Sequence, residues 1–525
     1  MTKILSALKR IQTLPVLLLI AVNIVFGLLT FRDYGLTIDE PFFYGYADAI
    51  GYAYTPAHWF SGHFDLEANA YGPSPWDHAN RGPAYLLIAR TPAHLLQAIG
   101  LDQASAWHLV NFLAFQIGVY FFYILARRWM KPWAAFFAAA FFSTQPVLWE
   151  HAFINPKDPS FLIFFLISLE LGFRMAEHLA HAPAEEKPAQ TFKHILLPAI
   201  LLGLTTSIRI LGPLAAALVG LYFLLLGKPK RIGGFLPYGL IAILVMFITW
   251  PFLWQAPLQN FIGTLTFMSD NPTELRVLFY GQLYRADALP LRYLPSMMLF
   301  TLTEPVWPLA ALGLIAASVR AWKRSIEWKS LLATFLWLAI PMLYALWKKP
   351  PLYDGFRHFM FIVPPLFILG GLAVEALFDW LKPIWARVLI IAALLAPALI
   401  ADVQLHPYQY TYYNQFVGGT GKAASQFETD YWETCYKEAM QGINKYSLPN
   451  STVFVRREWY IAKYYARPDI TIIDGTKKTR GMIYGDYILS GSRADPGIQK
   501  YLTATQFITI RRNGAIYCIA PQYTK

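Results

Sequence analysis

Apolar stretches long enough to cross a membrane recur along the chain from Leu14 to Ile400 and then stop. A helix needs about 20 such residues to cross the hydrocarbon core, because each residue adds about 1.5 Å of rise. Charged residues make up only 14% of the chain, against about 25% in an ordinary soluble domain. The sequence therefore predicts an α-helical polytopic membrane protein, and it argues against a soluble globular domain.

The chain carries a basic excess, with 44 Lys and Arg against 32 Asp and Glu and a formal net charge of +12. In a membrane protein such an excess usually lies in cytoplasmic loops, where it sets the orientation of the spans. We therefore expect the lipid bilayer, and not nucleic acid, to be the partner that this charge reflects.

The segment 83–99 decides the predicted topology, because Arg90, His94 and Gln97 interrupt its apolar residues. If it crossed the membrane, most later basic turns would lie outside, against the positive-inside rule. We therefore place this segment along the outer interface as a short amphipathic helix. The predicted cytoplasmic turns are then 127–131, 174–193, 228–231, 320–329 and 382–387.

About eleven spans follow from this arrangement, with the amino end in the cytoplasm and the carboxyl end outside. The first span is followed by no small-residue cleavage site, so it is predicted to be a retained anchor. The predicted spans are 14–31, 106–126, 133–149, 159–175, 194–211, 213–227, 233–253, 293–318, 331–347, 359–378 and 388–402.

The last part of the chain, 403–525, differs in character from the rest. It has mixed polar sequence, Gly turns and a helix-like stretch at 431–446. We predict a small α/β domain outside the membrane, following a transmembrane domain over 1–402 that includes a first outer loop at 32–105. The short β-branched runs in the last part are 452–455, 470–473, 507–510 and 515–519.

The chain has two cysteines, Cys435 and Cys518, and both fall in this last part. Two cysteines are too few for a zinc site built from thiolates. The sequence leaves open whether they pair, because their separation in space is unknown and each could be a buried free thiol.

Two acidic motifs fall on the predicted outer side, Thr37-Ile38-Asp39-Glu40-Pro41 and Asn155-Pro156-Lys157-Asp158-Pro159. An Asp or Thr before Pro commonly caps a helix, so a purely structural role stays open for each. Cations also gather on this side, against the positive-inside rule, and each alone could snorkel or form an ion pair. They are Arg81, Lys157, Arg209, Lys348, Lys349 and Arg357.

This combination suits transfer of a sugar from a polyprenyl phosphate, whose anionic head lies at the interface while its tail lies in the bilayer. Cationic side chains can neutralise the departing phosphate, and a carboxylate can take the proton from the attacking hydroxyl. A single displacement inverts the anomeric centre without a protein nucleophile. The predicted phosphate-binding residues are Arg81, Lys157, Arg209, Lys348, Arg357 and His358.

The two acidic motifs, the long outer loop and the interfacial helix together resemble bacterial membrane glycosyltransferases of the GT-C superfamily. The resemblance is to family 39-like enzymes, which are related to protein O-mannosyltransferases and aminoarabinose lipid A transferases. Further matching motifs are Thr206-Ser207-Ile208-Arg209, Gly355-Phe356-Arg357-His358-Phe359, His406-Pro407-Tyr408-Gln409-Tyr410, Tyr413-Asn414 and Phe427-Glu428-Thr429-Asp430-Tyr431-Trp432.

The resemblance implies a GT-C fold and an inverting glycosyltransferase at the outer face of a bacterial plasma membrane. The donor would be a polyprenyl-phosphate sugar, and the acceptor a hydroxyl of a protein, lipid or glycan. Asp39 resembles the catalytic base, Glu40 its neighbour and Asp158 the second acidic residue. Arg81 lies where relatives keep a His-Pro-Pro or Lys-Pro-Pro motif, from which Asn80-Arg81-Gly82-Pro83 departs.

The resemblance leaves a metal open, since some relatives bind a divalent cation near the acidic pair and others do not. Asp39, Glu40 and Asp158 can offer oxygen ligands to Mg²⁺ or Mn²⁺. The eleven histidines show no close metal-like spacing, so we propose no zinc.

Aromatic residues crowd the segment 406–432, directly after the last predicted span. An aromatic belt that packs the outer domain on the membrane would explain them. The alternative is an acceptor cleft, since sugar faces stack on aromatic rings. The predicted acceptor-binding residues are Tyr410, Tyr413, Asp430 and Trp432.

Two other functions compete with sugar transfer. A transporter or flippase of lipid-linked saccharides would share the spans and some of the cations, but transporters tend to show paired repeats and broken helices that meet at mid-membrane. A non-catalytic scaffold would leave Asp39, Lys157 and Arg357 unexplained as a group.

Overall fold

Membrane-length helices form most of the structure. The computed structural model describes residues 2–183, 185–227, 229–269, 273–476, 485–499 and 508–523, so Ala184, Lys228 and Phe507 of the predicted turns and strands lie outside it. Among the described residues, seven helices are long and apolar enough to cross a membrane. They are Gln12–Thr30, Gln103–Ala126, Asp158–His181, Pro188–Ile208, Arg231–Thr249, Trp328–Lys348 and Ile384–Leu405. The chain is thus built as a multi-pass membrane protein.

The other predicted spans correspond to shorter or bent helices. Pro132–Ser143 and Pro213–Leu225 are apolar but short, and Pro364–Trp380 has 17 residues. Helices Tyr293–Thr301 and Val306–Trp322 meet at 102° and give an eighth span if the pair crosses once. Length and composition therefore support seven or eight spans, and the total of eleven stays a prediction.

The bend is closed by polar side chains at two facing helix breaks. Gln145 lies between helices Pro132–Ser143 and Pro146–Ile154, and Thr303 lies at the bend. The Thr303 amide donates to Oε1 of Gln145 and the Gln145 amide donates to Oγ1 of Thr303, both at 3.0 Å. These bonds satisfy polar groups that a break would otherwise leave unpaired within an apolar environment.

The loop after the first span is folded into short helices. Helix Glu40–Ala49 begins at the first acidic motif, and helix Ala84–Ala98 occupies the segment that we predicted to lie along the interface. With 15 residues, Ala84–Ala98 is too short to cross the hydrocarbon core. The remaining short helices of this loop are Ile50–Tyr54, Pro56–Trp59, Leu66–Asn69 and Pro75–Ala79.

A β-hairpin, which we did not predict, follows helix Pro257–Ser269. Its strands, β1 (Arg276–Phe279) and β2 (Gln282–Arg285), are antiparallel. Tyr280 and Gly281 form the turn with positive φ angles of 51° and 74°, as a two-residue hairpin loop requires.

The last part of the chain contains a mixed five-stranded sheet of order β4-β3-β5-β7-β6. Strand β3 pairs in parallel with β4 and β5, whereas β7 pairs antiparallel with β5 and β6. Helices Tyr436–Tyr446 and Trp459–Tyr465 accompany the sheet, and a disulfide joins Cys435 to Cys518 with their Cα atoms 6.0 Å apart. The strands are β3 (Thr452–Val455), β4 (Thr471–Asp474), β5 (Tyr487–Gly491), β6 (Ile508–Arg512) and β7 (Ala515–Ala520).

The α/β part contacts the loop that carries the first acidic motif. The hydroxyl of Tyr465 accepts from the amide of Leu36 at 2.8 Å, and the hydroxyl of Tyr460 donates to the carbonyl of Ile38 at 2.9 Å. The α/β architecture is therefore present, while the division into separate domains at 402 stays a prediction.

The turns that we predicted to be cytoplasmic meet at one end of the helix bundle. Arg128 pairs with Glu177, Arg231 pairs with Glu186 at 3.0 Å, and the indole of Trp129 donates to the carbonyl of Glu327 at 3.0 Å. Lys131 and Lys382 both reach Asp379, at 3.3 and 3.0 Å. These turns thus share a side, as the topology requires. Which side of the membrane this is stays a prediction.

Candidate active site

Asp39 is placed at a cavity by the start of a helix. It immediately precedes Glu40–Ala49, whose first turn contains Pro41, but its side chain makes no capping hydrogen bond. Its carboxylate instead faces the cavity, with 38% of the side chain exposed, and lies 3.7 Å from the Arg357 guanidinium. A carboxylate that is free of capping and open to a cavity is available to take a proton.

Arg357 is the centre of a buried ion-pair cluster. It follows a tight turn in which Asp354 has a φ of 57°, and it lies 3.0 Å from Asp354 and 3.2 Å from Asp158. The rings of Tyr353 and Trp432 flank it, with centroids 5.1 and 5.0 Å from the guanidinium carbon. Because a planar guanidinium bonds in a fixed fork, this cluster fixes the cation beside Asp39.

Asp158 holds two arginines and does not face the cavity. Its side chain is 1% exposed and pairs with Arg357 and Arg209. Asn155 donates to its Oδ2 atom at 2.9 Å, and Arg209 also donates to the carbonyl of His358 at 3.4 Å. The structure therefore does not bring Asp158 to the cavity, because its oxygens are taken by cations and an amide, and its catalytic role stays a prediction.

Glu40 points away from the cavity into the protein. Its carboxylate is fully buried and accepts hydrogen bonds from the Thr37 amide at 2.7 Å and the Tyr44 hydroxyl at 2.5 Å. Nε2 of His108 lies 2.9 Å from the same carboxylate. The structure thus does not bring Glu40 to the reacting groups. It anchors the first turn of the helix that follows Asp39.

The cavity beside Asp39, which we call the polar cavity, has a volume of about 340 Å³. Arg81 reaches it from the turn before helix Ala84–Ala98 and is oriented by Asp77 at 2.7 Å. The ammonium of Lys157 has no carboxylate partner in the part of the chain that the structure describes. The charged residues along its wall include Asp39, Arg81, Lys157, Arg357, Arg457 and Arg493.

A second cavity of about 310 Å³, which we call the apolar cavity, adjoins the first. The two share Arg81, Lys157 and Tyr353. The walls of the apolar cavity include residues at the ends of two membrane-length helices, Ile208 and Tyr344. Its other lining side chains include Leu211, Trp250, Leu265 and Met268. Together the cavities offer a charged end and an apolar end, as an amphiphile needs.

Two predicted phosphate ligands are poorly suited to that role. His358 lines the apolar cavity, but burial and the charges of Arg357, Arg209 and Arg81 hold the pKa of its imidazole well below the usual value. It is therefore neutral at physiological pH and supplies no positive charge. Lys348 is exposed at the end of its helix, over the ring of Trp347, and does not line either cavity.

The electrostatics of Asp39 fit a general base. The surrounding protein withdraws its carboxyl from bulk water, and this burial raises its pKa above the usual value. The positive charges of Arg357, Arg81 and Arg493 lower this pKa, whereas the negative charge of Asp354 raises it. A carboxylate with a raised pKa takes up a proton more readily than an ordinary aspartate.

Arg493 belongs to the site although nothing in the local sequence indicated it. Its guanidinium, 3% exposed, lies 2.8 Å from Asp354 and donates to the carbonyl of Tyr431 at 2.6 Å. It therefore orders Asp354, which in turn orders Arg357. The last part of the chain thereby helps to build the wall of the polar cavity.

The predicted acceptor residues are buried, and two of them, Tyr410 and Asp430, are bonded to each other. Tyr410 donates to Asp430, which also accepts from the amides of Thr434 and Cys435 at 3.0 Å. Tyr413 is 3% exposed. Trp432 is 1% exposed and packs on Arg357, as described above. The four side chains line neither cavity, and their role as acceptor ligands stays a prediction.

The predicted divalent metal does not fit the residues present. Glu40 and Asp158 are each held in separate clusters, and a cation at Asp39 would face Arg357 at 3.7 Å. Among the described residues, one gathering of three metal-type side chains occurs, Asp430 with Cys435 and Cys518. The disulfide removes both thiolates from that gathering. We therefore assign no metal to these residues.

The sequence matches no protein-family model and no curated protein. Among solved structures, the chain is similar to ArnT from Cupriavidus metallidurans bound to undecaprenyl phosphate, with a TM-score of 0.51 and 13% identity over 96% of this chain and 97% of that one. The apo state of the same ArnT gives 0.48 and 14% identity, covering 95% and 97%.

An oligosaccharyltransferase from Archaeoglobus fulgidus, solved with zinc and sulfate, gives a TM-score of 0.45 and 13% identity over 87% of this chain and 62% of that one. At such identities a likeness establishes the fold alone. The fold expected from the resemblance is confirmed in this sense: the chain shares the fold of ArnT.

Proposed function

We propose that this protein is an inverting glycosyltransferase that moves a sugar from a polyprenyl-phosphate donor to a hydroxyl acceptor. The observation that carries the proposal is the pair of adjoining cavities, one charged and bearing Asp39, the other apolar and bordered by membrane-length helices. A lipid phosphate has the same two-part chemistry. The fold is shared with an ArnT that was solved bound to undecaprenyl phosphate, which supports a lipid-linked donor.

The donor phosphate would lie where the two cavities meet. Arg81 and Lys157 line both, so their cations can neutralise the phosphate while the isoprenoid chain extends along the apolar wall. Lys157 suits this role because its ammonium is free of a carboxylate within the described chain. Arg81 keeps an orienting bond to Asp77, which holds its fork in place.

In the proposed step, the acceptor oxygen attacks the anomeric carbon from the face opposite the phosphate. The Asp39 carboxylate takes the acceptor proton as the new C–O bond forms. The bond from the anomeric carbon to the phosphate oxygen breaks, and its electron pair leaves with the polyprenyl phosphate. The anomeric configuration is inverted, and no protein nucleophile is consumed.

Arg357 would act as a positioning residue for Asp39. Its contacts with Asp354 and Asp158 leave it fixed, and its charge keeps the pKa of Asp39 from rising further. The carboxyl can then stay ionised in the resting enzyme and still accept a proton during transfer.

We place this reaction at the outer face of a bacterial plasma membrane, with a protein, lipid or glycan as acceptor. The positive-inside rule supports that side, since the basic turns meet at the end of the bundle away from Asp39. A flippase would instead carry the lipid-linked saccharide across the bilayer without separating sugar from phosphate.

The test compares surface glycans and glycoproteins by mass spectrometry in cells with the wild-type gene, no gene, or Asp39→Asn. We expect Asp39→Asn to lose the product by about a hundredfold or more while still binding undecaprenyl phosphate. Asp48→Asn, the same change at an exposed position of the same helix, is the matched control and should keep the product. Wild-type product levels in Asp39→Asn would contradict the proposal.

A further inference from the structure

A third cavity of about 360 Å³ lies between the hairpin β1–β2 and the last part of the chain, and we call it the hairpin cavity. Its walls come from 274–283, 424–431 and 492–499, together with Arg457. None of these residues belongs to the membrane-length helices found in the described ranges. This cavity therefore differs from the apolar cavity, whose wall includes two of those helices.

The hairpin cavity adjoins the polar cavity on the side away from the lipid. The two share Leu275, Arg457 and Arg493, whereas the polar and apolar cavities share Arg81 and Lys157. Asp39 thus stands between an entrance bordered by membrane-length helices and one bordered by the hairpin and loops. A single displacement needs this arrangement, since the attacking acceptor oxygen and the departing phosphate must lie on opposite faces of the donor's anomeric carbon.

The charges of the hairpin cavity are balanced. Glu274 stands against Arg276, while Arg457 pairs with Glu458 at 3.2 Å and Arg493 is neutralised by Asp354. Burial raises the pKa of Glu428 to about 8, so this carboxyl adds little negative charge near neutral pH. This balance disfavours a polyanionic lipid head, which would need a cationic wall. It suits sugar hydroxyls, because each hydroxyl both donates and accepts a hydrogen bond and can pair with carboxylate or guanidinium alike.

Glu428 provides a specific point of attachment. Its Oε2 atom is buried and receives no hydrogen bond from the residues that the structure describes. A buried carboxyl oxygen without a partner costs free energy, so such a group is commonly completed by a ligand. A hydroxyl bound in this cavity would complete it.

We propose that the hairpin cavity binds the acceptor, and that the acceptor is a saccharide whose hydroxyl reaches Asp39 from the aqueous side. The assignment rests on the proposed glycosyltransferase function, and it selects one of the three acceptor classes left open there. It also replaces Tyr410, Tyr413, Asp430 and Trp432, the side chains that the sequence suggested for this role.

The test uses single thiols placed in two cavities of the full-length protein in nanodiscs. Both native cysteines form the disulfide, so Ala494→Cys in the hairpin cavity and Ser269→Cys in the apolar cavity each add one free thiol. The rate of alkylation by a charged maleimide is then measured. The probes are undecaprenyl phosphate, the delipidated saccharide fraction of the source envelope, its delipidated protein fraction and its lipid extract.

We expect the saccharide fraction to slow alkylation of Ala494→Cys about fivefold near saturation and to leave Ser269→Cys unchanged. Undecaprenyl phosphate should give the reverse pattern. Protection of Ala494→Cys by the protein fraction or the lipid extract instead would overturn the saccharide assignment. Protection of Ser269→Cys by undecaprenyl phosphate with no protection of Ala494→Cys by any fraction would overturn the cavity assignment alone.

Failure of undecaprenyl phosphate to protect Ser269→Cys would contradict the donor site, and with it both proposals.

A pair of variants then tests whether Glu428 binds the saccharide. Glu428→Leu in the Ala494→Cys background should raise the saccharide concentration for half-protection about tenfold or more, because a hydrogen bond to a carboxyl is lost. Glu67→Leu, the same change at an exposed position of the first outer loop that lines none of the three cavities, should stay within about twofold. Equal effects of the two changes would overturn the role of Glu428.

Discussion

Asp39 combines two properties at the scale of a single residue, a carboxylate open to a cavity and a pKa raised by burial. The acid limb of the pH profile of kcat/KM should therefore lie above the usual aspartate range, because protonated Asp39 cannot act as a base. Arg81 lowers the pKa of Asp39, so Arg81→Gln should move this limb to higher pH. Arg90→Gln, on helix Ala84–Ala98, should not move it. An unmoved limb in Arg81→Gln would contradict the assignment.

Replacing Asp158 and Asp39 separately distinguishes a positioning role from a catalytic one. Its replacement by Asn leaves Arg357 and Arg209 buried without their shared carboxylate, so we expect a loss of about 3 kcal/mol of stability. Asp39→Asn should keep its midpoint of thermal unfolding, because Asp39 is part-exposed and 3.7 Å from Arg357. Both variants should be inactive. Tryptophan fluorescence during heating in detergent checks this, and equal midpoints would argue against the distinction.

The resemblance pointed to Asp39 as the base, but the residues alone could not show that Glu40 turns away from the cavity. The direction of each side chain depends on where the helix begins, and a start at Glu40 turns that residue toward His108 and Tyr44. Arg493 escaped notice for another reason. It lies 139 residues from Asp354, and no local pattern reports a contact made over such a distance.

Among the elements, helix Trp459–Tyr465 supports the segment that carries Asp39. Tyr465 and Tyr460 bond the backbone at Leu36 and Ile38, each bond contributing about 1 kcal/mol. Replacing both tyrosines by Phe should lower kcat about tenfold while the affinity for undecaprenyl phosphate stays unchanged.

The matched control for this pair is Tyr464→Phe on the same helix, which removes a 3.0 Å bond to Asp102 away from Asp39. It should have little effect on kcat. Steady-state kinetics and a lipid-binding assay separate the two quantities, and an unchanged kcat in the double variant would show that this support is dispensable.

Helices could be predicted from the sequence wherever a long apolar stretch is enough to identify them. The bend between Tyr293–Thr301 and Val306–Trp322 could not, because it depends on Gln145 and Thr303, which are 158 residues apart in sequence. The hairpin β1–β2 was missed since its strands have only four residues each and gain their support from Phe427, far along the chain.

At the scale of the whole molecule, three adjoining cavities share lining residues, and both parts of the chain contribute to their walls. A chain ending at 402 would lack Trp432, Arg457 and Arg493. We therefore expect the segment 1–402, expressed alone, to insert into membranes but to give none of the glycan product seen by mass spectrometry with the full chain. Product at wild-type levels would show that the transmembrane part suffices.

The sequence placed the boundary at 402 because apolar spans end there, and composition is a sound guide to what lies within a bilayer. Composition does not report which surfaces meet across that boundary. The hydrogen bonds of Tyr460 and Tyr465, and the contact between Asp354 and Arg493, join residues on either side of position 402 that are far apart in the sequence. Because of these contacts, position 402 separates two environments, the bilayer and the outside, but it does not separate two independent functional parts.

The contact between Asp354 and Arg493 also determines at which stage of synthesis the site can be completed. A ribosome makes every membrane-length helix of the described ranges before it reaches Tyr460, Tyr465 and Arg493. A growing chain therefore contains Asp39 long before the contacts that support Asp39 and Arg357 can form. We expect the reactive centre to be completed only as synthesis ends. Chains whose synthesis stops early would then stay in the bilayer without hydrolysing the lipid-linked sugar.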